Sequence, residues 1–214
     1  MAKKLVLIAD IEASKKVKDK ERKQLQQNLK EVLSELNVQA EYILSPYTIT
    51  LGDEFQAVFE KTDNVFNHML KIMSALYPKT VRFSLGVGDI STPVNSEQAI
   101  GMDGPAFYEA REGIGLLKES GFLFNIRFEE ENSNVALKIT NNSLQLLSKQ
   151  IRSWNKRRLQ IFHMLKDGYS YKVITEKLDI SKPAFYKNKE AGQLEVIEEL
   201  CKNIVALINQ RLES

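Results

Sequence analysis

The order of strand-like and helix-like patterns in the first part of the chain most constrains the fold. Apolar residues recur at helical spacing after Asp19 and again after Asp63. Four runs rich in β-branched and aromatic residues predict strands on either side of these helices, at 4–10, 42–51, 55–59 and 81–87. The resulting β-α-β-β-α-β order predicts a ferredoxin-like sheet, a fold of the α+β class.

The rest of the chain first extends this domain and then changes character. The pattern predicts one more helix at 106–118 and strands at 123–129 and 135–139. Beyond a polar, asparagine-rich stretch the apolar spacing is helical only. We therefore divide the 214 residues into an α+β domain at 1–141 and a small all-α domain at 142–214.

Composition limits the compartment and the metal chemistry. No apolar run approaches the roughly 20 residues of a membrane helix, so we expect a cytoplasmic protein with no membrane partner. Cys201 is the only cysteine, which excludes an internal disulfide and a thiolate metal cluster. His68 and His163 are the only imidazoles, so we expect any bound metal to have oxygen ligands, as Mg²⁺ or Mn²⁺ does.

Charge is unevenly distributed, although the formal net charge is only +2. Residues 1–147 carry 17 Lys and Arg against 20 Asp and Glu, whereas residues 148–190 carry 11 against 4. A compact basic segment behind a mildly acidic domain favours nucleic-acid contact by the second part. The alternative is a basic surface that is merely solvated.

Two acidic residues are predicted to meet at one edge of the sheet. The first and third strands of this topology are antiparallel neighbours, so Asp10 at the end of the first lies beside the turn that holds Asp53. Two close carboxylates repel each other unless a cation lies between them or one is protonated. We predict that Asp10, Asp53 and the backbone carbonyl of Ile11 bind Mg²⁺ or Mn²⁺. Alternatively, both acids belong to ordinary strand ends and turns.

The same edge carries residues suited to a nucleotide of unknown identity. Gly52 allows a positive φ and a close approach of phosphate to the backbone. Ser14 and Lys15 follow the first strand, where they would meet phosphate oxygens, and Glu54 adjoins the acidic pair.

These motifs resemble known families. Asp10-Ile11 after an apolar strand and the hairpin sequence LGDEF at 51–55 are similar to the class III nucleotidyl cyclase core and the GGDEF diguanylate cyclase domain. The resemblance implies that Asp10 and Asp53 hold two divalent ions on a nucleoside triphosphate. The segment 104–111 resembles a cyclase segment ending in Ala-Arg, which implies that Arg111 approaches the phosphates. Because cyclases build composite sites between two chains, the resemblance also implies a homodimer.

The sequence departs from the cyclase pattern at two positions. Phe107 stands where cyclases place an asparagine that stabilises the transition state, and Leu51 replaces the first glycine of the GGDEF signature. Metal and phosphate binding tolerate these changes better than cyclisation does.

Over nearly its whole length the chain resembles the SatD family of bacterial proteins, whose name is linked to acid tolerance and secretion. The matching segments are 8–16, 49–56, 81–90 and 99–111. The resemblance names no reaction.

The basic segment has the layout of a helix-turn-helix. Helices are predicted at 154–166, 171–178 and 182–189, with Gly168 and Ser170 between the first two. The layout resembles the sigma-factor-like and transposase-like versions of the motif. We predict DNA contacts by Arg157, Arg158, Lys182, Tyr186, Lys187 and Lys189. The alternative is a helical interaction module without DNA contact.

A final apolar stripe at 194–212 predicts a helix that covers this module or pairs two chains.

Three hypotheses for function follow. In the first, the chain is a regulator in which a nucleotide controls DNA binding. In the second, it is an enzyme that cyclises, hydrolyses or transfers a nucleotide, with the helix-turn-helix as a localiser. In the third, it is a scaffold whose cyclase-like domain has lost its ligand.

Overall fold

A mixed sheet and its surrounding helices make up the fold. The structure is a computed structural model that describes residues 3–13, 19–39, 41–129 and 133–214. The strands are β1 Lys4–Ile11, β2 Ile43–Leu51, β3 Glu54–Phe59, β4 Val81–Gly88 and β5 Phe124–Phe128. The helices are α1 Asp19–Gln39, α2 Val65–Leu76, α3 Pro105–Ser120, α4 Val135–Arg152, α5 Lys156–Lys166, α6 Tyr171–Leu178, α7 Lys182–Ala191 and α8 Leu194–Leu212. Within these ranges, none of the helices combines the length and apolar character that a membrane crossing requires.

The sheet has the strand order β2-β3-β1-β4-β5. β1 lies between β3 and β4 and is antiparallel to both, as the predicted topology requires. β5 follows α3 and pairs with β4 in parallel, which needs such a crossover connection. The mixed α+β class is therefore confirmed, with one strand added to the ferredoxin-like four.

Alternate residues of each strand face opposite layers. Leu5 and Leu7 of β1 belong to the main core, together with residues of α1, α2, α4, α5, α7 and α8. Val6 and Ile8 face the other side, where α3 covers the sheet. Asp10 continues this second face at the end of β1.

The prediction of a strand at 135–139 is wrong, because these residues form the first part of α4. The Asn134 side chain caps this helix by accepting a backbone hydrogen bond at 2.8 Å. Apolar residues such as Leu144 are buried at helical spacing, whereas Val135 and Ile139, whose branching suggested a strand, are exposed. Packing of α4 against β5 outweighs the strand propensity of these two residues.

The C-terminal helices lie close to their predicted positions. α6 coincides with its prediction, and the bounds of α5 and α7 differ from theirs by at most two residues. The side chains of Ser170 and Ser181 cap α6 and α7. The main core continues from the sheet into these helices. The division at 141 falls inside α4 and stays a prediction.

Candidate functional site

The end of β1 brings four charged residues to the α3 face of the sheet. Asp10 lies opposite Glu54 of β3 and opposite Arg82 of β4 in the strand register. Directly opposed residues of antiparallel strands share one face. Glu12, two positions after Asp10, continues the same side.

The turn between β2 and β3 lies against this strand end. The backbone N–H of Ile11 donates a hydrogen bond to the carbonyl oxygen of Asp53 at 3.2 Å. Gly52 has a φ of 65°, the left-handed conformation that glycine adopts without strain. The sheet thus places Asp10 and Asp53 on neighbouring segments, as the predicted strand order requires.

Asp10 is paired with two cationic side chains that the sequence did not point to. Arg82 Nη1 donates to Asp10 Oδ2 at 3.0 Å, and Lys118 Nζ of α3 lies 3.7 Å from Asp10 Oδ1. The side chains of Asp10 and Arg82 are each only 11% exposed, whereas that of Lys118 is 47% exposed. The β1–β4 register could have identified Arg82, because antiparallel pairing sets it directly across from Asp10.

Glu12 is the centre of a second group of contacts. Its carboxylate accepts hydrogen bonds from Arg82 at 2.7 Å and from both terminal nitrogens of Arg152 at 3.0 and 3.1 Å. The Thr80 hydroxyl also donates to it. The hydrogen bonds from Arg152 are the main cause that lowers the pKa of Glu12 to about 2. Glu12 is therefore an anion at neutral pH, and it ties the end of α4 to the sheet.

The predicted phosphate contacts are only partly described. Arg111 Nη1 of α3 lies 3.9 Å from Glu54 Oε1, so this arginine approaches the predicted edge and remains mostly exposed. Ser14 and Lys15 lie outside the described residues.

Among the described residues, the surroundings of Asp10 meet the requirements of a divalent-cation site only in part. Across the described ranges, no group of three or more His, Cys, Asp or Glu side chains could hold a metal ion. Asp10 Oδ2 is bonded to the buried Arg82, but Oδ1 faces the half-exposed ammonium of Lys118. Two cationic side chains therefore already neutralise Asp10 in the described residues.

The predicted DNA contacts divide into exposed and packed residues. Lys182, Tyr186 and Lys187 are exposed on α7, and Lys182 lies over the Tyr171 ring at 5.6 Å. Lys189 is paired with Glu195 at 2.6 Å. The two arginines of α5, Arg157 and Arg158, are half-buried.

Comparison with solved structures gives distant similarity to nucleotidyl cyclases. A bacterial light-regulated adenylyl cyclase is 18% identical with a TM-score of 0.38, and the match covers 58% of this chain and 42% of that one. The catalytic core of a rhodopsin-guanylyl cyclase with converted specificity, in complex with ATPalphaS, is 14% identical with a TM-score of 0.36. This second match covers 52% of this chain and 71% of that one. Likenesses this distant carry no argument about function.

The chain is thus a mixed α+β protein with an acidic and basic cluster at one sheet edge. The SatD family model matches residues 4–207, nearly the whole chain. The protein therefore belongs to the SatD family, as the sequence motifs predicted. Comparison with curated proteins gives no match.

Proposed function

We propose that the sheet edge at Asp10 and Asp53 binds a nucleotide together with Mg²⁺ or Mn²⁺, and that this binding regulates DNA contact by α5–α7. The observation that carries the proposal is the backbone hydrogen bond from Ile11 to Asp53. It fixes the acidic turn beside the end of β1.

The charges around this edge suit a phosphate chain. Asp10 and Asp53 would hold the cation, which when bound neutralises phosphate charge and polarises phosphate oxygens. Lys118 and Arg111 of α3 lie near Asp10 and Glu54, where their positive charges would contact the phosphate oxygens.

Phe107 favours binding over cyclisation. Its side chain is 4% exposed and packs in the apolar cluster between α3 and the sheet. A residue buried in this way offers no polar group to a reacting nucleotide. Burial of Phe107 at the position where the resemblance implies a catalytic asparagine supports a sensor over a cyclase.

Ligand-dependent stabilisation tests the nucleotide site. The melting temperature should rise by several degrees with Mg²⁺ or Mn²⁺ plus one of the four nucleoside triphosphates, because a ligand at 100 times its Kd stabilises by about 2.7 kcal/mol. Asp10→Asn and Asp53→Asn should each abolish the rise. Glu60→Gln, a charge change just after the far end of β3, should keep it.

Two results would contradict the site. One is that no triphosphate shifts the wild type with either metal. The other is a full shift in both aspartate variants. Measured hydrolysis or cyclisation of the stabilising nucleotide would replace the sensor by an enzyme.

The DNA-binding part of the proposal is supported by the exposed basic face of α7. Lys182 and Lys187 flank Tyr186 on its surface, in a segment where positive charges far outnumber negative ones. Such a face suits phosphate contacts in a helix-turn-helix arrangement.

Retardation of duplex DNA across a salt series tests this face. The double variant Lys182→Gln, Lys187→Gln should bind more weakly and lower the slope of log K against log salt by about 1.8, since each phosphate contact contributes about 0.9. The control double variant Lys138→Gln, Lys202→Gln carries the same charge change elsewhere. Equal affinity of both double variants would refute the assignment.

A further inference from the structure

We infer that Glu12, shared by Arg82 and Arg152, couples occupancy of the Asp10 edge to the junction between α4 and α5. The inference rests on the proposed cation and nucleotide site, and it adds the route by which that site acts on the C-terminal helices.

Four charged side chains form a continuous chain of contacts. Arg82 bridges Asp10 at 3.0 Å and Glu12 at 2.7 Å. Glu12 in turn holds Arg152 through two hydrogen bonds. Paired forks of this kind fix orientation as well as distance. The contacts therefore connect β1 and β4 to the last residue of α4.

The chain of contacts is shielded from water at Arg82 and becomes more open towards Arg152. Arg82 is nearly buried, and Glu12 and Arg152 are 23% and 35% exposed at their side chains. Fully exposed ion pairs are screened and contribute little, whereas the two pairs of Arg82 lie in a partly dehydrated layer. A change of charge at one end is therefore felt along the chain.

Arg152 contacts the end of α3 and lies two residues before the buried Trp154. Its Nη2 donates to the carbonyl oxygen of Gly121, just beyond α3, at 2.8 Å. Trp154, two residues later, is buried against Phe162 of α5 with ring centroids 5.7 Å apart. Movement of Arg152 would therefore be expressed at the start of α5.

Glu12 is the carboxylate that the two arginines share. Its carboxylate already accepts from Arg82, Arg152 and Thr80. A cation on Asp10 would repel Arg82 and weaken its bond to that carboxylate. Arg82 would then move towards Glu12 and loosen the contact between Glu12 and Arg152. By linkage, the state of Arg152 changes cation affinity by the same factor.

Trp154 is the only tryptophan in the sequence. Its fluorescence therefore reports on the α4–α5 junction without an added label. The full chain is titrated with magnesium chloride at constant ionic strength, with binding followed by calorimetry and the junction by tryptophan emission. The emission should change along the calorimetric binding curve in the wild type. Asp53→Asn should lose both signals.

Arg152→Gln separates coupling from binding. The variant should still bind Mg²⁺, with an affinity changed by about fivefold or more, while the emission response falls to less than half. Arg127→Gln is the matched control, because Arg127 pairs with Glu109 and Glu112 away from this edge, and it should keep both.

Three results overturn the inference, and they differ in what else they affect. If Mg²⁺ binds without a change in emission, or if Arg152→Gln responds like the wild type, the coupling is wrong and the site stands. If neither Mg²⁺ alone nor its preformed complex with a nucleoside triphosphate binds in calorimetry, the coupling and the proposed function both fail.

Discussion

At the scale of single residues, Arg82 sets the charge balance of the sheet edge. It lies across from Asp10 in the register and contacts two carboxylates with its two terminal nitrogens. Without this cation, Asp10 and Glu12 would be like charges in a partly buried layer, an arrangement that costs free energy. Arg82 therefore stabilises the fold and orients the predicted metal ligand.

The two histidines lie together where α2 meets α5. The Tyr47 hydroxyl is 3.2 Å from Nδ1 of His68, and Nδ1 of His163 is 2.9 Å from the Asn67 side-chain oxygen. Burial lowers the pKa of His68 to about 4 and also lowers the pKa of His163, against the opposing effect of Asp167. Both rings are therefore neutral in the folded protein at neutral pH.

Stability should fall as the pH is lowered from 6.5 towards 4. The unfolded chain protonates its histidines near pH 6.5 while the folded chain resists, so the contribution is complete above 6.5 and is lost below it. His68 alone should cost about 2 kcal/mol between pH 7 and pH 5, measured by urea unfolding. His68→Gln should flatten this slope. An unchanged slope in the double variant with His163→Gln would disprove the assignment.

At the scale of elements, the close packing of α3 on β4 depends on two glycines. A side chain at Gly86 would collide with the backbone of Ala106 and Ala110, and one at Gly113 would meet Ser84 and Asn125. This close approach lets Lys118 and Arg111 of α3 reach the carboxylates of the sheet edge. Packing under α3 thus helps to place the cations of the candidate site.

A methyl group added inside this contact and one added on the exposed face of α3 should have opposite effects on stability. Gly86→Ala should destabilise by about 2 kcal/mol, because the atoms that it meets are backbone and cannot rotate away. Gly115→Ala on the exposed side of α3 meets nothing within 4 Å and should stabilise by up to about 1 kcal/mol. Urea unfolding of both variants provides the measurement. Equal effects would show that α3 does not pack as closely as described.

Polar side chains of α4 bond the backbone at the edge strand β5. Asn141 of α4 both donates to and accepts from the backbone of Ile126, and Ser148 accepts from the N–H of Leu123. Side chains of α4 thus satisfy backbone groups that an edge strand leaves open. Residues 135–139, predicted as a strand, are thus part of the helix that packs on β5.

At the scale of the whole molecule, α8 joins the C-terminal helices to the sheet. Ile197, Ile204 and Ile208 are buried in the main core. Asn209 contacts both Thr62 and Asp63 in the segment before α2. The apolar stripe predicted to cover the helical module or to pair two chains is buried within this chain. A homodimer, as the cyclase resemblance implies, would have to use another surface.

Local periodicity in the sequence determined the elements and their order. Spacing of 2 and of 3.6 residues is a property of each segment alone, so it located β1–β4, α3 and the C-terminal helices. The strand order that followed placed Asp10 beside Asp53. The error at Val135 and Ile139 arose because branched residues on an exposed helix face have the same local pattern as a short strand.

Only the tertiary structure decided which charges meet. Arg82 and Arg152 lie 72 and 140 positions along the chain from the acids that they contact. Their partners depend on strand register and on the path of α4 around the sheet, neither of which is encoded in a local pattern. Ion pairs form wherever packing brings opposite charges together in a layer of low polarity. The pairing of Glu12 with Arg152 is therefore a consequence of the assembled fold.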